Sequence, residues 1–146
     1  MKRKGLSATQ RTMRHLKGQG HTAKIVEVFV KPAGMAFGVK RDCCGLADII
    51  SFKPIIRRVM SPATGEIRDV ESSQMFWVQC CAVGGISSHK HKAEASEYLK
   101  PLLQSGTRFV IVAWHGWEAE PDRRDEFKCL EAKLANNGIA WVASEV

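Results

Sequence analysis

Two short stretches decide the fold: Arg41–Phe52 (RDCCGLADIISF) and Met75–Cys81 (MFWVQCC). Each is an apolar run of strand length that contains one polar residue, Asp48 in the first and Gln79 in the second. A carboxylate in a buried strand costs several kcal/mol unless it is paired or bound to a metal. Because such a cost usually accompanies a function, Asp48 is the first candidate site residue. The alternative is that Asp48 caps a turn or pairs with a nearby lysine.

Length and composition are those of one globular domain, expected to cover residues 1–146 with a flexible basic tail over 1–5. The hydrophobic content of 45% and the charged content of 25% are ordinary. No apolar run approaches the roughly 20 residues that cross a bilayer, and no apolar segment follows the basic amino terminus, so we expect no membrane contact. Two of the cysteine pairs are sequence neighbours, which is untypical of disulfide frameworks, and a reducing cytoplasm is expected.

Positive charge is concentrated at the amino terminus. The net charge is +7, and every charged residue before Glu27 is basic. A block of one sign favours a polyanion such as nucleic acid as the partner. The alternative is a solubilising tail or an exposed basic helix face.

Apolar periodicity and turn residues predict the element order α-β-β-β-α-β, followed by α-β. The predicted helices cover about 7–17, 87–104 and 125–136, and the predicted strands cover 21–31, 46–52, 75–83, 107–114 and 139–143. Residues 53–74 contain the turn signature Ser61-Pro62-Ala63-Thr64-Gly65 and predict a protruding hairpin. Three arginines make this hairpin basic: Arg57, Arg58 and Arg68. The fold class is therefore α/β, a mixed sheet with helices packed on it.

The two strands, with Arg-Asp-x-x-Gly-x-x-Asp opening the first and Gln79 in the second, resemble the PD-(D/E)XK nuclease superfamily. More narrowly, they are similar to its Holliday-junction-resolvase-like branch of phage and bacterial proteins, in which a basic helix follows. The resemblance covers roughly residues 20–116. It implies a restriction-endonuclease-like αβββαβ core, extended here by a C-terminal helix and strand. It also implies the cytoplasm of a bacterial or phage-infected host cell.

Hydrolysis of a phosphodiester needs a hard cation with oxygen ligands, and Asp48 and Gln79 are the first candidates for them. Side chains alternate along a strand, so Asp48 and Gln79 meet only if both point to the same face of the sheet. By resemblance, the main-chain carbonyl of Cys80 completes the ligand set for Mg²⁺ or Mn²⁺. Glu27 or Asp42 is expected to add a further carboxylate, the alternative for Glu27 being an edge position that points to solvent.

Two positions depart from the Glu-x-Lys pattern that is commonest in the superfamily. Gln79 stands for Glu and adds no negative charge, although some branches use Gln here. Cys81 stands for Lys and cannot act as an ammonium. We expect Lys92, or Lys90, to replace that lysine from the next helix. The basic run 89–92 falls in the predicted first turn of this helix, against the helix dipole, which suggests a bound phosphate; the alternative is a solvated basic turn.

The expected nucleic-acid contacts are basic residues in three stretches: Arg11, Arg14, Lys17, Arg41, Lys90 and Lys92. Trp114, His115 and Trp117 could stack on bases, although aromatic residues at a strand end are more often core. Zinc bound by the cysteines and histidines is a weaker alternative to Mg²⁺, because adjacent cysteines cannot both reach one ion.

The sequence therefore predicts a metal-dependent endonuclease that hydrolyses DNA, with Asp48, Gln79, Glu27 and Lys92 in its catalytic site and branched or structured DNA as a candidate substrate. DNA is the expected partner, and a homodimer is compatible with the resemblance. Because the Glu-x-Lys pair is missing, a degenerate nuclease-fold module that binds nucleic acid without cleaving it stays open. A small regulator that binds another protein through the basic surface is the third alternative.

Overall fold

The computed structural model of the chain describes residues 5–31, 33–34, 36–116, 121–123 and 125–146. It contains helices α1 (Ala8–Gly18), α2 (Ile86–Glu94) and α3 (Leu99–Gln104). The strands are β1 (Thr22–Ile25), β2 (Val28–Val30), β3 (Val39–Arg41), β4 (Ile49–Met60), β5 (Ile67–Ala82), β6 (Arg108–Trp114), β7 (Phe127–Ala135) and β8 (Gly138–Ala143). Within these described ranges, no helix is long and apolar enough to cross a membrane.

Six strands form one mixed sheet in the order β1-β4-β5-β6-β7-β8, and β2 pairs with β3 in a separate two-stranded sheet. β4 is antiparallel to both of its neighbours, β1 and β5, whereas β5 and β6 are parallel. A parallel connection needs a crossover, which α2 and α3 provide. The predicted α/β class, a mixed sheet flanked by helices, is confirmed. The predicted order has three strands between its first two helices, whereas five strands lie between α1 and α2.

The two faces of the sheet pack against different helices. On the face that we call the α1 face, Leu16 of α1 joins Ile49, Phe76, Val78 and other strand residues in one core. On the opposite face, the α2 face, Ala93 of α2 and Leu99 of α3 join Phe109 and Ile111 in a second core. Because strand side chains alternate, Cys80 belongs to the α1 face and Gln79 and Cys81 belong to the α2 face.

Helix α1 begins where its capping residues predict. Ser7 accepts a hydrogen bond from the main-chain N–H of Gln10, whose side chain accepts one from the N–H of Ser7, so the two form a capping box. The strand predicted over 21–31 is divided after β1, because the N–H groups of Val26 and Glu27 both donate to the carbonyl of Asp48, at 2.8 and 3.3 Å. That break brings Glu27 beside Asp48.

β4 and β5 form the hairpin predicted for residues 53–74, with paired positions from Ile49↔Val78 out to Met60↔Ile67. Its turn is closed by the N–H of Gly65 donating to Ser61 and the N–H of Ser61 donating to Glu66, both at 2.8 Å. The pairing of β4 with β1 ends at Phe52. The pairing of β5 with β6 begins at Phe76. Residues 53–74 therefore extend from the sheet as a two-stranded ribbon.

The helix predicted over 125–136 is wrong, because this segment is strand β7. Phe127, Leu130 and Leu134 fit a helical spacing, but Cys129 and Glu131 alternate into the α1 face of the sheet. Asn137-Gly138, interpreted as a helix end, instead leads from β7 into β8: Asn136 and Asn137 form a two-residue turn, and Gly138 is the first residue of β8. The last predicted strand, over 139–143, is confirmed as β8.

The helix predicted over 87–104 is two helices, with residues 95–98 between α2 and α3. Pro101 does not end the first of them. It lies in the first turn of α3, where a missing N–H costs nothing because that group has no partner within the helix.

Candidate functional site

Asp48 is held at the start of β4 by a tight turn over residues 43–47. The N–H of Cys43 donates to the carbonyl of Ala47 at 2.9 Å, and Cys44 and Gly45 both take a positive φ, 53° and 67°. Gly45 accepts that conformation freely, whereas Cys44 is strained by it. The N–H of Asp48 then donates to the carbonyl of Val78 at 3.0 Å, which fixes the residue against β5.

The structure brings Asp48 and Gln79 together. Oδ2 of Asp48 accepts one hydrogen bond from Nε2 of Gln79 and one from the main-chain N–H of Cys80, each 2.7 Å long. Nε2 of Gln79 also lies 3.4 Å from the main-chain carbonyl oxygen of Cys80. The side-chain amide nitrogen therefore stands between two oxygen atoms that the sequence proposes as metal ligands. Asp48 is 5% exposed and Gln79 is 4% exposed.

Two further carboxyl groups surround Asp48. Burial is the largest cause that raises the pKa of Asp48 to about 7. The hydrogen bond from the N–H of Cys80 opposes the rise, while the nearby carboxyl groups of Asp42 and Glu27 add to it. Asp42 also shares a side-chain hydrogen bond with Asp48. The site is thus a cluster of three acids in which one carboxyl changes charge near neutral pH.

Two lysines neutralise the outer carboxylates of this cluster. Lys40 Nζ lies 2.7 Å from Glu27 Oε1, and Lys92 Nζ lies 2.8 Å from Asp42 Oδ2. The side chains of Glu27 and Asp42 are only 11% and 16% exposed, so Glu27 does not point into open solvent. With three carboxylates and two ammonium groups, the ionised cluster carries one surplus negative charge. Sequence reasoning missed Lys40, because its place depends on the pairing of β2 with β3.

Lys92 reaches the cluster, but not for the reason that the sequence suggested. α2 begins at Ile86, so Lys90, His91 and Lys92 lie past its first turn, and Lys92 is in the last turn. The helix dipole favours a cation there, so the argument for a phosphate at the helix start is wrong. Lys90 points to another place, with its Nζ 5.7 Å from the ring centroid of Trp141.

The position of the missing lysine is filled by a neutral thiol. Cys81 is buried on the α2 face, and burial raises its pKa to about 11. His89, one turn before Lys92 on α2, also borders the cluster. Burial and the charge of Lys92 lower the pKa of His89, while Asp42 raises it. Its Nδ1 is buried with no hydrogen-bond partner among the residues that the structure describes.

The predicted nucleic-acid contacts divide into two groups. Arg11 is 9% exposed, and its guanidinium donates from Nη1 to the carbonyl of His115 at 2.9 Å and stacks 4.4 Å from the ring centroid of Trp114. Arg11 therefore stabilises the packing of α1 and is not part of an open basic face. Arg14, Lys17 and Arg41 are exposed.

The aromatic residues at the end of β6 belong to the core. Trp114 is 7% exposed, and its Nε1 donates to Oγ1 of Thr12 at 2.9 Å. His115 is likewise buried. Neither presents a ring for base stacking, and Trp117 lies outside the described residues.

In the described part of the chain, no three His, Cys, Asp or Glu side chains are arranged to hold a metal ion by themselves. A cation beside Asp48 would therefore also use the amide of Gln79 and the carbonyl of Cys80. These three oxygen donors fit a hard cation, since Mg²⁺ takes one or two carboxylates and keeps several waters. Comparisons of the chain with protein-family models, curated proteins and solved structures gave no match.

Proposed function

We propose that the chain is a metal-dependent endonuclease of the PD-(D/E)XK type, which hydrolyses phosphodiester bonds in DNA. One observation carries the proposal: the carboxylate of Asp48, the side-chain amide of Gln79 and the main-chain oxygen of Cys80 converge at one point. When the separate sheet of β2 and β3 is set aside, the order α1-β1-β4-β5-α2/α3-β6 supports a restriction-endonuclease-like core around that point.

Asp48, Gln79 and Cys80 would hold Mg²⁺ or Mn²⁺ between them, with the Gln79 side chain withdrawn from Asp48 to make room for the ion. The amide would turn about its last torsion, so that Oε1 faces the ion in place of Nε2. The surplus negative charge of the ionised cluster favours the replacement of the amide nitrogen by a metal ion, because a divalent cation neutralises that charge. A metal bound there lowers the pKa of a coordinated water and polarises a phosphoryl oxygen.

Lys92 would supply the ammonium group that the neutral thiol of Cys81 cannot provide. Asp42 positions its ammonium at 2.8 Å, and the side chain is 48% exposed, so a phosphate of the substrate can reach it. Lys40 forms an ion pair with Glu27 beside Asp48. Because the pKa of Asp48 is raised to about 7, metal affinity should rise as the pH passes from about 6 to about 8.

A cleavage assay with linear, single-stranded and four-way DNA tests this proposal, in Mg²⁺, in Mn²⁺ and in chelator. We expect the wild type to cleave only with metal and Asp48→Ala to lose that cleavage. Asp69→Ala is the matched control, since Asp69 is an exposed acid of the ribbon, and it should cleave normally. Cleavage by Asp48→Ala at the wild-type rate would remove Asp48 from the site and the proposal with it.

A nuclease-fold module that binds nucleic acid without cleaving it is the second candidate. It is favoured by the hydrogen bond that Gln79 donates to Asp48, because this bond satisfies the carboxylate with no metal present. Salt-sensitive DNA binding without cleavage in any divalent metal would select this candidate. Gln79→Glu combined with Cys81→Lys would then be expected to introduce cleavage. A wild type that binds no nucleic acid at low salt would instead indicate a regulator that binds another protein.

A further inference from the structure

The ribbon of residues 53–74 is the most exposed feature of the sheet. β4 continues eight residues past Phe52, where its pairing with β1 ends, and eight residues span about 26 Å. Past that point, β4 and β5 pair only with each other among the described strands. Three apolar side chains in the outer part of the ribbon are more than half exposed: Ile56, Met60 and Ile67.

The register of the ribbon places its cations on one face. Residues directly opposite each other in a strand pair share a face, and Ser51↔Phe76 belongs to the α1 face. Counting by twos from that pair puts Lys53, Arg57 and Arg68 on the α1 face of the ribbon. No acid of the paired strands lies on this face. Glu66, in the turn at the tip of the ribbon, is the one acid that the same count places there.

The other face of the ribbon carries acids as well as a cation. It carries one cation, Arg58, whose Nε lies 3.5 Å from Oδ1 of the opposite residue, Asp69. Glu71 lies on the same face, opposite Ile56. The acids of the paired strands are thus confined to the face away from α1. This segregation is not needed for folding, because the side chains on both faces of the outer ribbon are exposed.

The basic face of the ribbon continues into α1. The sequence of α1 contains no acid, and Arg14 and Lys17 are exposed on it. His21, three residues after α1, connects the two surfaces. Nδ1 of His21 lies 3.0 Å from Oγ of Ser51. Lys53 is the next residue of β4 on that face, so it lies near the carboxyl end of α1.

We propose that the α1 face of the ribbon is a binding arm for duplex DNA, with Lys53, Arg57 and Arg68 on its phosphates. A two-stranded ribbon has the width that the major groove of B-DNA admits, and a face that carries three cations suits a phosphate backbone. The inference rests on the proposed nuclease function and adds a second contact to it. Arg57 is nine residues beyond Asp48, about 30 Å along β4, and lies on the opposite face of the sheet. The arm therefore contributes affinity and takes no part in hydrolysis.

Two triple variants, each with three cations fewer, test the arm. The ribbon variant combines Lys53→Gln, Arg57→Gln and Arg68→Gln. The control variant combines Arg58→Gln, Lys100→Gln and Lys128→Gln, which remove three exposed cations from the α2 side. Anisotropy of labelled duplex DNA against salt gives affinity and slope. For three lost phosphate contacts we expect a log–log slope shallower by about 2.7 and binding at least about tenfold weaker at about 0.1 M salt. The control should stay within about twofold of wild type.

Each further outcome bears on one proposal or both. Equal affinity and slope for the two triple variants would overturn the arm and leave the nuclease proposal standing. Ribbon-dependent binding without cleavage in any metal would keep the arm and sink the nuclease proposal. A wild type that binds no duplex would overturn both.

Where cleavage occurs, KM should rise in the ribbon variant and kcat should not, and a lower kcat alone would contradict the arm. Weaker self-association with unchanged DNA affinity would assign the ribbon to a second copy of the chain and reject the arm.

Discussion

Asp48→Asn is expected to stabilise the fold above neutral pH while it removes the proposed metal ligand. Burial, first among its causes, raises the pKa of Asp48 to about 7, whereas an unfolded aspartate titrates near 3.9. A difference of about three pH units, at about 1.36 kcal/mol each, makes the buried charge cost about 4 kcal/mol. The asparagine side chain is isosteric with aspartate and still accepts a hydrogen bond from the N–H of Cys80. Its hydrogen bonds are neutral and weaker in total by about 1 kcal/mol, which leaves a gain of about 3 kcal/mol.

The sign of this effect depends on pH in a definite way. Between about pH 4 and pH 7 the native carboxyl of Asp48 keeps a proton that the unfolded one has lost. Asp48 therefore subtracts stability from the wild type progressively as the pH rises through that range, and the loss is constant above pH 7. The amide introduced by Asp48→Asn does not ionise, so the advantage of the variant should appear over the same range.

Thermal unfolding in chelator at about pH 4.5 and about pH 8.5 measures the effect. About 1 kcal/mol shifts the Tm of a chain of this size by about 2–4 °C, so we expect Asp48→Asn to melt about 6–12 °C higher at the alkaline pH and near wild type at the acid pH. Asp69→Asn, at a position whose side chain is 61% exposed, should show no such difference. Added Mg²⁺ should stabilise the wild type and not Asp48→Asn. A variant that is less stable at alkaline pH, or equally stabilised at both, would refute the reasoning.

Three other substitutions give independent checks. Burial raises the pKa of Glu131, but hydrogen bonds from Arg108, Lys133 and Ser144 outweigh it and lower the pKa to about 2. Its contribution is therefore present above about pH 4.5 and lost as the pH falls toward 2, and Glu131→Gln should cost about 3–5 kcal/mol at pH 7 and much less at pH 3, by urea unfolding. Leu16→Ala empties a fully buried site under α1 and should cost about 2–5 kcal/mol in the same assay, and a smaller loss would mean that α1 repacks. Gln79→Glu adds a carboxylate beside Asp48 and should bind Mg²⁺ more tightly by calorimetry while losing stability in chelator, and unchanged affinity would place the cation elsewhere.

Strand periodicity identified Asp48 and Gln79 as candidate site residues, because each is a polar residue in a long apolar run. That the two meet is decided by the register of β4 against β5, which the sequence left open. The ribbon was predictable for a similar reason, since Pro62 and Gly65 specify a turn between two strand-like runs. These features depend on residues close in sequence, which is why the sequence alone contains them.

The failures depend on contacts between distant segments. Asn137-Gly138 suits both a helix end and the approach to a hairpin turn, and pairing with β6 and β8 makes residues 127–135 a strand. Arg11 has the same sequence context as Arg14, yet its guanidinium is buried against the ring of Trp114, far along the chain. Lys40 meets Glu27 because β2 and β3 pair across a loop that no local pattern specifies.

Gln79 decides what the site can do, because an amide has both a donor and an acceptor. As a donor it satisfies Asp48 and lies against the carbonyl of Cys80, so the site folds without a metal. A glutamate there would add a fourth carboxylate to the cluster and make the metal-free fold unstable near neutral pH. The same hydrogen bond must break before a cation can bind, which weakens metal affinity. A chain built this way should be stable without metal and active only at high Mg²⁺ concentration, and rising pH should favour activity as Asp48 ionises. Cleavage that saturates at micromolar Mg²⁺ would contradict this exchange of donor for acceptor.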